Sequence, residues 1–263
     1  MAAVFGVKSP MWDLNKSQYD EIDDLPLMST PGVIMMILAT YLLFVLKIGP
    51  DFMRKREAFK LTKVLIVYNA VQVVASAFLV QYYLRSLLRT GLTPQKCYMG
   101  EESYRKEILL GIWFYLAAKV TELLDTIFFV LRKKNNQITF LHLYHHSIMM
   151  VGTWALLKYC PSQNLFFIGF INSLVHIFMY TYYGLAALGP NVAKYLTWKK
   201  HMTKFQLIQF VSIIVQYVIS TRISDCPPTK GTAIFVASNT FVFLLLFLNF
   251  YRQKYIQKKP KTN

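Results

Sequence analysis

Three histidines lie within five positions of the segment 139–148, TFLHLYHHSI, and the residues that follow are largely apolar. On a helix, His142 shares a face with His145 and with His146, whereas the adjacent His145 and His146 diverge by about 100°. One ring can therefore face a reacting atom while its neighbour packs against another helix. Because polar side chains are costly inside a membrane, this cluster indicates a functional site.

A second group of ionisable residues lies in the segment KVTELLDT, residues 119–126. Lys119, Glu122 and Asp125 are spaced by three, so they share one helical face. Each costs roughly 2.5 to 3.5 kcal/mol at the centre of a membrane helix, so the three must pair or line a wet cavity. A Lys119–Glu122 ion pair that only holds helices in register remains the alternative to a role in function.

Polar residues on four predicted helices lie in the same half of the membrane. The basic residues considered below predict which helix ends face the cytosol. Measured from those ends at about 1.5 Å of rise per residue, residues 119–125 lie ~10 to 20 Å and residues 142–146 ~8 to 14 Å from the membrane surface. The segments NSLVHIFMYTYY (172–183) and TKFQLIQF (203–210) carry further polar residues in that half. The opposite half is bulky and apolar, so the pattern favours an amphiphilic ligand with an anionic head and a hydrocarbon tail.

The elements that position these residues are predicted to be membrane-spanning helices. The chain has 263 residues, of which 55% are hydrophobic and 16% aromatic, more than in an ordinary soluble domain. Stretches of about 17 to 24 residues can cross a hydrocarbon core of roughly 30 Å as helices. Seven such stretches are residues 31–48, 64–84, 108–131, 138–157, 164–188, 204–221 and 232–251. We therefore expect an all-α, polytopic membrane protein with a single domain over residues 1–263.

The basic residues predict an orientation. Most of the 29 Lys and Arg residues flank the predicted spans on the side of the C-terminus, and cytoplasmic loops hold the excess of such residues. This bias places the C-terminus in the cytosol and the N-terminus on the other side. The net charge of +16 is interpreted as topogenic charge rather than as a nucleic-acid-binding surface. The same charge can also attract a polyanionic substrate.

The three cysteines fall in loops predicted on the side away from the cytosol, where disulfides are permitted if that side is the lumen of the endoplasmic reticulum. We predict a Cys97–Cys226 disulfide with Cys160 free, and three unpaired thiols remain the alternative. Asn15 begins a glycosylation sequon on the same side. The terminal KKPKTN resembles the dibasic retrieval signals of endoplasmic reticulum membrane proteins. We therefore predict that membrane as the location.

Three functional hypotheses fit the histidines. His142, His145, His146 and His176 could hold one metal ion, as in a metal-dependent enzyme that modifies lipids. Alternatively, a neutral imidazole attacks a thioester or removes a proton, a role in which cysteine is excluded by its predicted side. The third hypothesis is a seven-helix receptor or sensor, but its ligand pocket should open on the side away from the cytosol.

Four motifs together resemble one known family. KVTELLDT (119–126), HLYHH (142–146), NSLVHIFMYTYY (172–183) and TKFQLIQF (203–210) match, in order and spacing, the signatures of the very-long-chain fatty acid elongases. These are membrane 3-ketoacyl-CoA synthases. The resemblance extends from the second predicted span to the seventh, and four motifs in register are far more specific than HxxHH alone.

The resemblance implies a fold and a reaction. Spans two to seven would form a six-helix barrel around an acyl tunnel that is sealed at the lumenal end, with the first span packed outside. A long-chain acyl-CoA would condense with malonyl-CoA to give a 3-ketoacyl-CoA two carbons longer, CO₂ and CoA. No cofactor is expected, and the partners would be these two substrates and the bilayer. Association with other enzymes of the elongation cycle, or with a second copy of the chain, is left open.

The resemblance also implies roles for particular residues. His145 would be the nucleophile that holds the acyl group, His176 would bind or deprotonate opposite it, and His142 and His146 would orient the rings. The expected donors to the enolate are Asn172, Lys119 and Tyr180. Glu122 and Asp125 would hold Lys119 and the histidines in place. The remaining residues expected to bind substrate, mainly at the cytosolic rim, are Arg132, Lys134, Gln137, Tyr182, Lys199, Thr203 and Gln206.

Overall fold

The computed structural model describes residues 13–257, and these residues form helices and connecting loops with no strand. Two turns of π-helix, Phe44–Ile48 and Arg252–Ile256, join or extend the main helices. The terminal KKPKTN motif lies outside the described residues. In chain order the helices are α1 (Asp20–Asp23), α2 (Pro31–Leu43), α3 (Gly49–Arg54), α4 (Thr62–Thr90), α5 (Glu102–Glu122), α6 (Leu124–Leu131), α7 (Phe140–Tyr159), α8 (Leu165–Ala187), α9 (Pro190–Ala193), α10 (Lys199–Ile223) and α11 (Lys230–Tyr251).

Between residues 13 and 257, five helical segments are long and apolar enough to cross a membrane: Pro31–Arg54, Thr62–Thr90, Leu165–Ala187, Lys199–Ile223 and Lys230–Ile256. The prediction of an all-helical chain with several membrane spans is confirmed. The segments α5–α6 and α7 were also predicted to span, but they do not belong to this group of five. They carry the charged residues of KVTELLDT and the three histidines of HLYHH, and these side chains lower the apolar character of both segments.

The outer faces of the apolar helices are suited to lipid. On α4, Val67, Val71 and Val74 are exposed, and they recur at the spacing of one helical face. On α10, Val211, Val215 and Val218 form a similar exposed row. Continuous apolar faces of this kind are uncommon on soluble monomers and are expected where a helix contacts hydrocarbon.

Six long helices contact one another in a closed order. α4 packs against α5, α5 against α7, α7 against α11, α11 against α10, α10 against α8, and α8 against α4. α2 packs against α7 and has no place in this order of neighbours. The C-terminal part of α5 and the N-terminal part of α7, which carry the candidate functional residues, are therefore brought to the same end of the molecule.

The predicted span 108–131 is not one continuous helix, because the helix is interrupted at Leu123. Around this residue the backbone forms tighter i→i+3 hydrogen bonds, from Leu123 N to Val120 O and from Thr126 N to Leu123 O. The side chains of Glu122 and Asp125 face the same space, but Glu122 contacts Lys119 and His176, whereas Asp125 contacts Tyr180.

Three loops are tied together at the end of the molecule opposite the histidines. Cys97 of the α4–α5 loop and Cys226 of the α10–α11 loop form a disulfide, and Cys160 is free. The intervening α7–α8 loop joins both, since Asn164 Nδ2 donates to Cys226 O at 3.0 Å and Gln163 Nε2 donates to Lys96 O at 3.0 Å. The three loops are therefore bonded to one another and form one surface at this end of the molecule.

The N-terminal residues of the described chain pack against the same end. Lys158, at the end of α7, is completely buried, and its Nζ lies 2.8 Å from Asp23 Oδ1. The same ammonium group donates to Met28 O at 2.7 Å. Trp154 Nε1 donates to Leu27 O at 2.9 Å. A buried charge needs this set of acceptors, so the segment before α2 is held firmly to α7.

Candidate active site

A polar chamber of about 370 Å³ lies between the ends of α5–α8, α10 and α11. Most of the predicted site residues contribute to its wall, although the sequence places them on six separate helices or loops. They are Glu122, Asp125, Gln137, His142, His145, His146, Asn172, His176, Tyr180, Lys199, Thr203 and Gln206.

An apolar cavity of about 90 Å³ continues from this chamber into the helical bundle. Its wall is formed mainly by hydrocarbon and aromatic side chains, including Ile112, Met149, Leu156, Ile168 and Phe235. Four residues line both spaces and therefore mark their junction. They are His145, Asn172, Gln209 and Phe210.

The start of α7 fixes the position of the histidines. Thr139 is the N-cap residue, and its hydroxyl accepts a hydrogen bond from His142 N at 3.2 Å. Threonine is favoured here because it satisfies a backbone N–H that has no partner within the helix. The cap makes His142 the third residue of α7 and places His145 and His146 one turn further in.

A buried network around Lys119 orients Asn172. Lys119 Nζ lies 2.8 Å from Glu122 Oε1 and 2.8 Å from Asn172 Oδ1, and Tyr115 OH donates to the same Oδ1 at 2.7 Å. An ammonium group only donates, so the atom facing it must be the carbonyl oxygen of Asn172. The amide nitrogen of Asn172 is therefore directed away from this network.

Glu122 also sets the orientation of His176. His176 Nδ1 donates to Glu122 Oε1 at 3.1 Å, and both side chains are buried. Because an ionised carboxylate only accepts, Nδ1 carries the hydrogen, and Nε2 of a neutral ring keeps its lone pair. A similar contact lies nearby, where Tyr180 OH donates to Asp125 Oδ2 at 2.8 Å.

His142 is held from outside the chamber. Its Nε2 lies 2.8 Å from Thr126 Oγ1, which in turn lies 2.8 Å from the hydroxyl of Tyr41 on α2. The His142 ring packs on His146, with 4.2 Å between ring centroids. This contact chain connects the first long helix to the histidine cluster.

Within residues 13–257 the ring of His145 makes no side-chain hydrogen bond, as is also true of His146, but of these two rings only that of His145 lines both the chamber and the apolar cavity. Its ring contacts Phe243 and His146, with centroid separations of 5.1 and 5.5 Å. The ring nitrogens are thus not occupied by the protein. Since His145 also lies where the two spaces meet, it is the histidine best placed to react with a bound molecule.

Four predicted site residues do not belong to the chamber wall. Lys119 lies behind it, where it supports Asn172 and Glu122. Arg132 and Lys134 follow the end of α6, and Tyr182 packs its ring against Tyr183 and Trp198 instead. The wall also contains residues that the sequence-based site omitted, chiefly Gln209, Phe210 and Lys254. Gln209 belongs to the quoted TKFQLIQF motif, which was the available signal for it.

The histidines do not form a metal-binding set in the described part of the chain. No group of three or more His, Cys, Asp or Glu residues between positions 13 and 257 has a suitable arrangement for holding a metal ion. Glu122 already binds Lys119 and His176, and His142 already contacts Thr126. The geometry gives the metal hypothesis no support.

The fold and the two joined spaces define a multi-pass membrane protein with a buried histidine site between a polar chamber and an apolar cavity. The model of the GNS1/SUR4 family of ELO proteins matches residues 26–263. The chain therefore belongs to this family, the very-long-chain fatty acid elongases, and the resemblance found in the four motifs is confirmed.

Individual relatives agree with the family match. The chain is 42% identical over 243 residues to very long chain fatty acid elongase 7 of Drosophila melanogaster, covering 90% of this chain and 73% of the relative. It is 39% identical over 253 residues to elongase 1 of Mus musculus, covering 94% and 90%. It is 38% identical over 244 residues to elongase 4 of Homo sapiens, covering 92% and 77%. Membership places the chain among the enzymes of fatty acid elongation.

Proposed function

We propose that the protein condenses a long-chain acyl-CoA with malonyl-CoA, which yields a 3-ketoacyl-CoA two carbons longer, CO₂ and CoA. The observation that carries the proposal is the position of His145 at the junction of the polar chamber and the apolar cavity. A thioester has its reactive carbonyl between a polar carrier and a hydrocarbon chain. Binding each part in the matching space brings that carbonyl to His145.

In the first step a neutral His145 attacks the thioester carbonyl. The new N–C bond forms, the C–S bond breaks, and the thiolate of CoA takes up the proton released from the imidazole. The acyl group is then held on His145 while CoA leaves and malonyl-CoA enters. Such a covalent intermediate divides one difficult reaction into two easier ones.

In the second step malonyl-CoA loses CO₂, and the resulting enolate carbon attacks the acyl carbon. The N–C bond to His145 breaks, the imidazole takes up one proton from solvent in the chamber, and the neutral histidine and the 3-ketoacyl-CoA are released. Of the three proposed donors to the enolate, Asn172 has an amide nitrogen directed away from Lys119, whereas Tyr180 already donates to Asp125. Asn172 is therefore the donor that we assign to the enolate oxygen. His176 would hold or move a proton at Nε2.

The chamber suits the charge of the CoA carrier. Lys199 and Lys254 contribute two ammonium groups to its wall, and Gln137, Thr203 and Gln206 add groups that form hydrogen bonds. Phosphates of CoA would bind the lysines as point charges. The hydrocarbon chain would occupy the apolar cavity. The proposed reaction uses the two CoA substrates and no additional cofactor.

The proposal includes a topology. The segments α5–α6 and α7 would also cross the membrane, which gives seven spans, and the six helices from α4 to α11 that contact in a closed order would form a barrel with α2 outside. The protein would reside in the endoplasmic reticulum membrane, with its N-terminus in the lumen and its C-terminus in the cytosol. Other enzymes of the elongation cycle would act on its product.

The covalent step can be tested with acyl-CoA alone. Purified protein should release free CoA in an amount that does not exceed the protein, and mass spectrometry should find the acyl mass on the peptide with His145. His145→Ala should fold and should give neither CoA nor adduct. If acyl-CoA alone gave neither CoA nor adduct while malonyl-CoA still gave product, direct condensation would replace the covalent route. A lack of malonyl-dependent product in the wild type would exclude the reaction itself.

A further inference from the structure

Gln209 is a buried amide at the junction of the two spaces. It lies on α10, its residue is 5% exposed, and it lines both the chamber and the apolar cavity. Its Oε1 is buried without a hydrogen-bond partner. A buried acceptor that finds no donor within residues 13–257 is costly, so a bound molecule is expected to supply the donor.

The neighbouring polar groups do not supply this partner. Asn172, which shares the junction, has its Oδ1 occupied by Lys119 and Tyr115. The other residues at the junction are His145 and Phe210. The ring of Phe210 packs against Phe243 and Phe247 and carries no polar atom. Gln209 is therefore oriented toward a space that the protein leaves for a ligand.

The ligand group must offer a donor to the unpartnered Oε1 of Gln209. The N–H of a secondary amide is such a donor, and its carbonyl points to the opposite side. A fatty acyl chain beyond its carbonyl has no such group. In the carrier, however, the first polar group after the thioester sulfur is an amide, which is separated from the sulfur by two methylene carbons.

We propose that Gln209 binds the amide of the CoA carrier that lies nearest the thioester sulfur. The N–H of this amide donates to Gln209 Oε1, the atom that has no partner within residues 13–257. This bond holds the thioester carbonyl at His145. This inference rests on the proposed function, because it assumes that a CoA thioester is the molecule bound at the junction.

The experiment compares three thioesters of the same fatty acid. One carries CoA, one carries N-acetylcysteamine, which retains the amide, and one carries a butyl thiol, which lacks it. With malonyl-CoA present so that the enzyme turns over, the rate of thiol release is measured as kcat/KM for each thioester in the wild type and in Gln209→Leu. The matched control is Gln216→Leu on the same helix. Gln216 is also a buried glutamine with an Oε1 that is unpartnered in the described chain, but its Nε2 donates to Leu92 O and Ser220 Oγ, and it lines neither space.

We expect Gln209→Leu to lower kcat/KM for the CoA and N-acetylcysteamine thioesters by roughly 10- to 100-fold. Its rate with the butyl thioester should stay within about threefold of the wild type, since that substrate has no amide to lose. Gln216→Leu should leave the ratio between the thioesters unchanged. An equal loss on all three thioesters in Gln209→Leu would overturn the inference, because it would place Gln209 at the thioester carbonyl or in the support of the site.

A binding measurement separates this inference from the proposed function. An S-alkyl-CoA thioether cannot transfer its chain, and its affinity should fall roughly tenfold in Gln209→Leu but not in Gln216→Leu. If the wild type releases no thiol but this difference in affinity is found, the proposed function fails and the inference stands. If thiol is released while the affinity and the thioester ratios are unchanged in Gln209→Leu, the inference fails and the proposed function stands.

Discussion

The hydroxyl of Thr126 lies 2.8 Å from Nε2 of His142, and the same hydroxyl lies 2.8 Å from that of Tyr41. A residue of α2 therefore acts on the histidine cluster through α6, although α2 has no place in the closed order of helices. The contact fixes the direction of the His142 ring, and the packing of His142 on His146 passes this orientation to the neighbouring ring.

Thr126→Val should lower activity with a small effect on stability, because valine keeps the shape of threonine but loses the hydroxyl. We expect kcat to fall roughly 10-fold with KM little changed, as expected when a positioning hydrogen bond is lost. Thr126→Ser should recover most of the rate. The measurement is a steady-state assay of malonyl-dependent product. If serine were as slow as valine, packing of the methyl group rather than the hydrogen bond would be responsible.

Removing one partner of the Lys119–Glu122 pair should lower the stability of the protein more than removing both. Glu122→Leu leaves a buried ammonium group without its carboxylate, which costs about 3 to 5 kcal/mol. The double variant Lys119→Met, Glu122→Leu should unfold at a higher temperature than Glu122→Leu. Thermal unfolding in detergent measures the difference. Both variants should be inactive, since Asn172 and His176 lose their partners, and equal stability of the two would show that the pair is solvated.

Gly169 allows a close contact between α8 and α4. A Cβ atom at this position would lie 2.5 Å from the ring of the buried Tyr83, whose hydroxyl donates to Gly111 O. Gly169→Ala should therefore destabilise the protein by about 1 to 3 kcal/mol. Gly231→Ala is the control, because a Cβ at Gly231 meets no atom within 4 Å. Unfolding temperatures should fall for the first variant and stay level or rise for the second.

The attachment of the N-terminal segment should depend on pH in a defined direction. The hydrogen bond from Arg105 holds the pKa of Glu21 below its usual value. Burial alone would raise the pKa of Asp23, but hydrogen bonds from Lys158 and Ser17 together lower it. Because both carboxyl groups are more acidic in the folded state, their stabilisation is complete above their ordinary pKa values near about 4 and is lost as the pH falls through the lower folded values.

Tryptophan fluorescence can follow this change, since Trp154 donates a hydrogen bond to Leu27 O. The signal should be constant from about pH 8 to pH 5 and should change only below about pH 4. Asp23→Asn should show part of the change at neutral pH. A transition centred between pH 6 and 7 in the wild type would contradict the assignment, because neither carboxyl group titrates there.

The Cys97–Cys226 disulfide should contribute to the stability of the folded protein, although it lies in surface loops. It joins residues 129 positions apart, and closing a long loop reduces the entropy of the unfolded chain. The Cys97→Ser, Cys226→Ser variant should lose about 2 to 5 kcal/mol of stability. Cys160→Ser should unfold like the wild type, since Cys160 is free. An unchanged unfolding temperature after removal of the bridge would mean that the loop hydrogen bonds suffice.

The sequence was sufficient to bring the central residues together. The spacing of His142, His145 and His146 and the helical rise predicted their depth, and His176 followed from the same reasoning on another helix, whereas Asn172 came from the family resemblance. This works because helical geometry relates position in sequence to position in space. The family signatures then distinguished these polar residues from ion pairs that only join helices.

The rest depended on features that helical geometry does not fix. Gln206 and Gln209 are one turn apart, and only the rotation of α10 against α8 and α11 shows that Gln209 reaches the junction. Arg132 lies where α6 ends, and Lys133 follows it in a left-handed conformation with φ 53°. The chain direction changes there, so a helical projection could not place the basic residues of this turn on the chamber wall.

The surface formed by the α4–α5, α7–α8 and α10–α11 loops has a kinetic consequence for the proposed reaction. In the proposed reaction, a hydrocarbon tail that enters past His145 would extend toward the three loops that the disulfide and hydrogen bonds join. It would then have to leave by the path along which it entered. Each methylene drawn back through the polar chamber adds up to about 0.8 kcal/mol to the barrier for departure. A tail two carbons longer would therefore leave up to roughly tenfold more slowly, and the protein would retain longest the chains that it has extended most.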